Sequence, residues 1–64
     1  MIVMPNMVYE YVFCFEMQHR SGRIVRHTVT TDAVSDEQAY RMASEYAENR
    51  YGAKIIKTIS ELKY

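Results

Sequence analysis

From residue 7 to residue 17 every odd position carries a large side chain: Met7, Tyr9, Tyr11, Phe13, Phe15 and Met17. The even positions, Val8, Glu10, Val12, Cys14 and Glu16, form a mixed row. Period-two alternation with this aromatic content predicts a β-strand over 7–17, with the odd row as the core face. A second strand follows over 23–31. From Ser35 the period changes. Ala39, Met42, Ala43, Tyr46 and Ala47 recur at helical spacing and draw one apolar stripe, which Tyr51 continues and Tyr40 flanks. This predicts a helix over 35–51. Residues 54–63 return to a strand. There the uncharged row Ile56, Thr58, Ser60, Leu62 and Tyr64 is expected inward, and Ile55, Lys57, Ile59, Glu61 and Lys63 outward.

The ends of these elements have chemical reasons. Ser35 is a good N-cap, because its hydroxyl can accept from an otherwise unpaired N–H of the first turn. Gln38 completes a capping box, and Asp36 and Glu37 suit the positive end of the helix dipole. Glu37–Arg41 and Arg41–Glu45 stand at ion-pair spacing. Gly52 is a natural stop, since glycine adopts the left-handed conformation cheaply. Between the first two strands, parity chooses the loop. A two-residue loop at Ser21-Gly22 would set Phe15 opposite Thr28 and Phe13 opposite Thr30. A three-residue Arg20-Ser21-Gly22 loop sets Met17 by Val25, Phe15 by His27, Phe13 by Val29 and Tyr11 by Thr31. It also pairs Glu16 with Arg26 on the other face. The second register keeps apolar with apolar and gains an opposite-charge pair. Its third loop position is glycine, as the bulged turn requires.

The helix must run back along the sheet before the third strand begins. A right-handed crossover then places that strand beside the first, giving an antiparallel sheet of order 2-1-3. The expected fold is α+β: a two-layer ββαβ domain with one helix packed on one face of a three-stranded sheet. The chain has 64 residues and reads as one domain, with 1–6 as an N-terminal arm. A chain this short buries a modest share of its surface, so an oligomeric or partner contact is a natural source of extra stability.

Charge and chemistry narrow the function classes. Net charge is zero, so no global field favours nucleic acid or an anionic membrane. Locally, the helix region is acidic, while the hairpin tip and the last strand are basic. Met1-Ile2-Val3-Met4 is too short for a signal peptide or a span, so no membrane association is expected. One cysteine excludes an internal disulfide and fits a reducing cytoplasm. Cys14, His19 and His27 are too few for a typical structural zinc site. No metal or cofactor is expected. Ser35 reads as a cap rather than a nucleophile, and Cys14 and His27 fall on opposite sheet faces, so no catalytic residue is assigned and the chain is not expected to be an enzyme. The face away from the helix is expected to carry Val8, Val12, Cys14, Ile24, Ile55 and Ile59 within a charged rim. Of these, Val8, Val12, Cys14, Ile55 and Ile59 are the candidate interface to a protein partner or a second copy. The N-terminal arm is a candidate cover for part of that face. Arg20, Arg23 and Arg26 are candidate electrostatic contacts, to an acidic protein or, with Lys54 and Lys57, to nucleic acid. The aromatic row reads as core rather than as a base-stacking platform.

The run Ala33-Val34-Ser35-Asp36-Glu37-Gln38-Ala39, with Ala43 one turn on, resembles the strand-to-helix junction of small phage- and plasmid-encoded proteins, including DpnD-like and some anti-CRISPR proteins. Here Thr30-Thr31-Asp32 precedes Ala33. The resemblance implies a compact non-enzymatic protein of a mobile element. Its concrete form is an inhibitor that docks on a host protein complex, such as a CRISPR effector, in the host cytoplasm. A small nucleic-acid-binding module and a structural homo-oligomer are the alternatives.

Overall fold

A computed structural model describes residues 7–64. The elements are β1 (Tyr9–Gln18), β2 (Ile24–Ala33), α1 (Asp36–Tyr51) and β3 (Lys54–Lys63). The strands form one antiparallel sheet of order β2-β1-β3, with α1 on one face, as the topology argument expects. The expected cover from residues 1–6 lies outside the described residues. β1 and β2 both begin and end slightly later than the pattern suggests. Ala33 is the last residue of β2, buried and opposite Tyr9.

The β1–β2 register is the one the three-residue loop predicts, from Gln18 opposite Ile24 to Tyr9 opposite Ala33 without interruption. Gly22 takes φ +88° and donates its N–H to the His19 carbonyl. The His19 N–H bonds the Arg23 carbonyl at 2.8 Å. That bond makes the odd-numbered residues the hydrogen-bonded pairs of this ladder. The even residues of β2, among them Arg26, Thr28, Thr30 and Asp32, therefore turn their N–H and C=O groups away from β1, along an open edge.

Tyr11, Phe13, Phe15 and Met17 are completely or almost completely buried, and so are Ala39, Ala43 and Ala47 on the helix. Large meets small across the layer. The β1 rings stack along the strand, with centroids 6.2 Å apart for Tyr11–Phe13 and 5.4 Å for Phe13–Phe15. Tyr40 meets Phe13 and Phe15 edge-on at 6.0 Å. The apolar stripe on α1 is narrower than expected. Met42 and Tyr46 are 43% and 56% exposed. The layer of rings leaves room only for methyl groups beneath the helix axis, so the larger side chains splay to its flanks.

The helix ends behave as their residues require. Ser35 accepts from the Gln38 N–H at 3.2 Å, and Gly52, at φ 60°, returns its N–H to the Glu48 carbonyl. The Gln38 side chain reaches one residue further than in a standard capping box and accepts from the Val34 N–H. The Tyr11 hydroxyl donates to Asp36 Oδ1 at 2.8 Å, and Lys63 Nζ stands 3.9 Å from the same oxygen. Asp36 thus ties β1, β3 and the start of α1 together. Burial, followed by this hydrogen bond and the nearby carboxylate charge, pushes the Tyr11 pKa up to about 12. Glu37–Arg41 and Arg41–Glu45 do not form ion pairs; among the described residues the pairs are Arg26–Glu16 and Lys63–Asp36.

β3 departs from the expected alternation. Its ladder with β1 shifts register twice, leaving out Ile56 and then Ile59. Each extra residue inverts the parity that a regular strand would keep. Ile55 consequently lies opposite Met17 and packs on the core, while Ser60, Leu62 and Tyr64 line up with Cys14, Val12 and Glu10. The inward row expected from the uncharged residues is thus corrected. Only Thr58 of that row keeps the helix side, opposite Phe15, and it is exposed.

The ring-on-alanine layer predicts the cost of enlarging it. Ala43→Leu should lower the unfolding free energy by about 1–3 kcal/mol, through displaced rings or a displaced helix. Urea denaturation checks this; an unchanged midpoint would mean that the helix does not sit directly on the aromatic row.

Candidate functional site

With one helix on a three-stranded sheet, no described element covers the other sheet face. The registers order that face into cross-strand rows. From one end they are Asp32–Glu10–Tyr64, Thr30–Val12–Leu62, Thr28–Cys14–Ser60, Arg26–Glu16–Lys57 and Ile24–Gln18–Lys54. An apolar centre of Val12, Cys14 and Leu62 is set among hydroxyl side chains, with charged rows on either side. Val12 and Cys14 are half-buried and Leu62 is 50% exposed.

Among the expected interface residues, Val12 and Cys14 are side by side on this face. Val8 precedes β1 and is exposed. Ile24 lies in the last row, away from the centre. Ile55 does not belong to the face, because the bulge at Ile56 turns it toward Met17 and the core. Ile59 is the residue skipped between Thr58 and Ser60, and it is half-buried. Leu62, expected inward, lies on this face instead, opposite Val12. No signal in the sequence marks either bulge, so Leu62 was not identifiable from its residue pattern.

The basic residues divide. Arg26 lies on the sheet face and approaches Glu16 at 3.8 Å, as the register predicts. Lys57 flanks Glu16 on its other side. An exposed pair of this kind adds little stability, but it compensates the charge locally. Arg20 stays at the hairpin end, where a shallow hollow brings it together with Gln18, Gly52 and Lys54. Arg23 lines a separate hollow with His19, Val25 and His27. The three arginines therefore do not form one patch.

At that same end His19 and His27 bring their Nε2 atoms to 3.2 Å, and the His27 ring stacks on Tyr51 at 3.7 Å. At this separation one ring N–H donates to the other ring's Nε2, with the roles set by the tautomers. Burial lowers the His27 pKa from its ordinary 6.5, and the neighbouring His19 acts in the same direction. Among the described residues, no three metal-ligating side chains converge, and no helix is long and apolar enough to cross a membrane. No protein-family model matches the chain, no curated protein matches it in sequence, and no solved structure matches it.

The histidine pair carries a pH prediction. The unfolded chain protonates His27 at a higher pH than the folded chain does. It therefore binds more protons in that interval, and stability falls as pH drops below 6.5. Thermal melts should show a lower midpoint at about pH 5 than at about pH 7, and His27→Gln should flatten that slope. A slope that His27→Gln leaves unchanged would assign the acid sensitivity to other groups.

Proposed function

We propose that the chain is a small non-enzymatic binding protein that docks on another protein through its uncovered sheet face. The observation that supports this is the Val12–Cys14–Leu62 centre, which no element of the described chain covers and which charged rows border on both sides. An apolar centre within a polar rim is the anatomy of a protein interface. The Ala33–Ala39 junction supports a mobile-element setting. In that setting the protein is an inhibitor that occupies a surface of a host complex, for example a CRISPR effector.

The alternative, a nucleic-acid module, is less well supported. Among the described residues Arg26 pairs with Glu16 and Lys63 with Asp36, and Arg41 and Arg50 lie apart on the helix, which leaves Arg20, Arg23, Lys54 and Lys57 near the hairpin end for phosphate. That is a small electrostatic footprint for backbone binding. A salt-dependent binding assay with DNA and RNA addresses it, since phosphate contacts are strongest at low salt.

Cys14 is the single cysteine and stands at the centre of the proposed face. It serves as a built-in reporter. Once a partner is bound, labelling of Cys14 by a thiol reagent should slow several-fold, and Leu62→Lys should weaken the complex while leaving far-UV circular dichroism unchanged. A complex in which Cys14 reacts as fast as in the free chain would contradict docking through this face.

A further inference from the structure

The two edges of the sheet are unlike. β3 is interrupted by two bulges and carries Lys54, Lys57, Glu61 and Lys63 along its length. Bulges and edge charges, lysine above all, are how a sheet discourages pairing with another chain. β2 has no bulge, and its charged residues, Arg26 and Asp32, stand to either side of its centre. Its register is unbroken, and its centre, Thr28-Val29-Thr30-Thr31, is uncharged and β-branched throughout. Such a run is strongly strand-forming, and here it offers a full row of outward N–H and C=O groups.

Two further observations lie along this edge. Met42 and Tyr46, the exposed flank of α1, line a groove of about 350 Å³ with Thr28, Val29 and Thr31. In addition, Glu10 lies directly opposite Asp32 in the ladder. Like charges in direct opposition are unfavourable, and among the described residues neither carboxylate has an ion-pair partner.

We propose that two copies of this chain pair through β2, antiparallel about a two-fold axis at Val29, to form one continuous six-stranded sheet. The register follows from charge. Centred at Val29, Thr28 lies opposite the partner's Thr30, and Arg26 opposite the partner's Asp32. Both pairs join outward-facing even residues, so both complete backbone hydrogen bonds. Each contact occurs twice by symmetry. The row Lys57–Glu16–Arg26 then continues into the partner's Asp32, which places a cation beside the opposed carboxylates. Centring on Thr28 instead would set Arg26 against the partner's Thr30 and leave those charges unmatched. On the helix side the same pairing brings the two helices next to each other, so Met42 and Tyr46 close over the groove. The remaining outer edges are the bulged, lysine-bearing β3 strands, so the assembly stops at two. This inference does not rest on the partner proposed for the open sheet face, and Cys14 labelling reports on that face separately.

The test is sedimentation of the full chain and of charge variants over a range of concentrations. The wild-type chain is expected to be a dimer. Arg26→Glu makes positions 26 and 32 both acidic, and Asp32→Arg makes both basic. Each variant alone should raise the dimer dissociation constant about tenfold or more. An equimolar mixture of the two should recover the dimer, because every cross-strand pair is again of opposite charge. Thr30→Pro removes an outward N–H that no described residue of the single chain uses, and should give a folded monomer by circular dichroism. A wild-type chain that stays monomeric at high micromolar concentration overturns the proposal. So does a dimer that survives Thr30→Pro and both charge reversals, or a mixture of the two charge variants that does not re-form the dimer.

Discussion

The structure depends on the contact between the β1 rings and the α1 alanines. Tyr11, Phe13, Phe15 and Met17 fill one face of the central strand, and Ala39, Ala43 and Ala47 let a helix lie directly on them. Stacked and edge-on ring pairs add about 0.5–1.5 kcal/mol each beyond area burial. A bulkier helix face would not seat, and a smaller strand row would leave voids. Met42 and Tyr46 are pushed outward, and among the described residues nothing covers the far sheet face.

The limits of that layer define the surfaces available for function. One helix covers about one face of three strands and leans toward β2 rather than β3. The exposed elements are therefore a sheet face with an apolar centre, an open strand edge at β2, and a hairpin end holding two close histidines. The face and the edge are adjacent but distinct. A dimer through β2 would double the open face rather than consume it, joining two Val12–Cys14–Leu62 centres on one side of a longer sheet. Such an arrangement presents two equivalent docking sites to a symmetric or extended partner.

Much of the fold was legible in the residues because local rules agreed with one another. Parity, loop length, Gly22 and the Glu16–Arg26 pair all selected the same β1–β2 register, and Ser35 and Gly52 bounded the helix. Two features were not legible. The helical stripe counted Met42 and Tyr46 as buried, because periodicity records polarity and not the space left beneath a helix by aromatic rings. The β3 face was misassigned because bulges at Ile56 and Ile59 change parity without any glycine, proline or charge to announce them. That is why Ile55 moved from the candidate interface to the core and Leu62 moved in the opposite direction.

Native-state amide exchange, resolved by residue, tests most directly whether β1 is the element on which the fold rests. β1 is hydrogen-bonded on both sides and its odd row is buried from Tyr11 to Met17, so the amides from Tyr11 to Met17 should exchange slowest, at the rate set by global unfolding. Amides of β3 between Ile55 and Ile59, where the ladder is twice interrupted, should open at lower free energy. If β1 amides exchange as fast as those of β3, or faster than those of the helix centre, the aromatic strand is not the centre of stability.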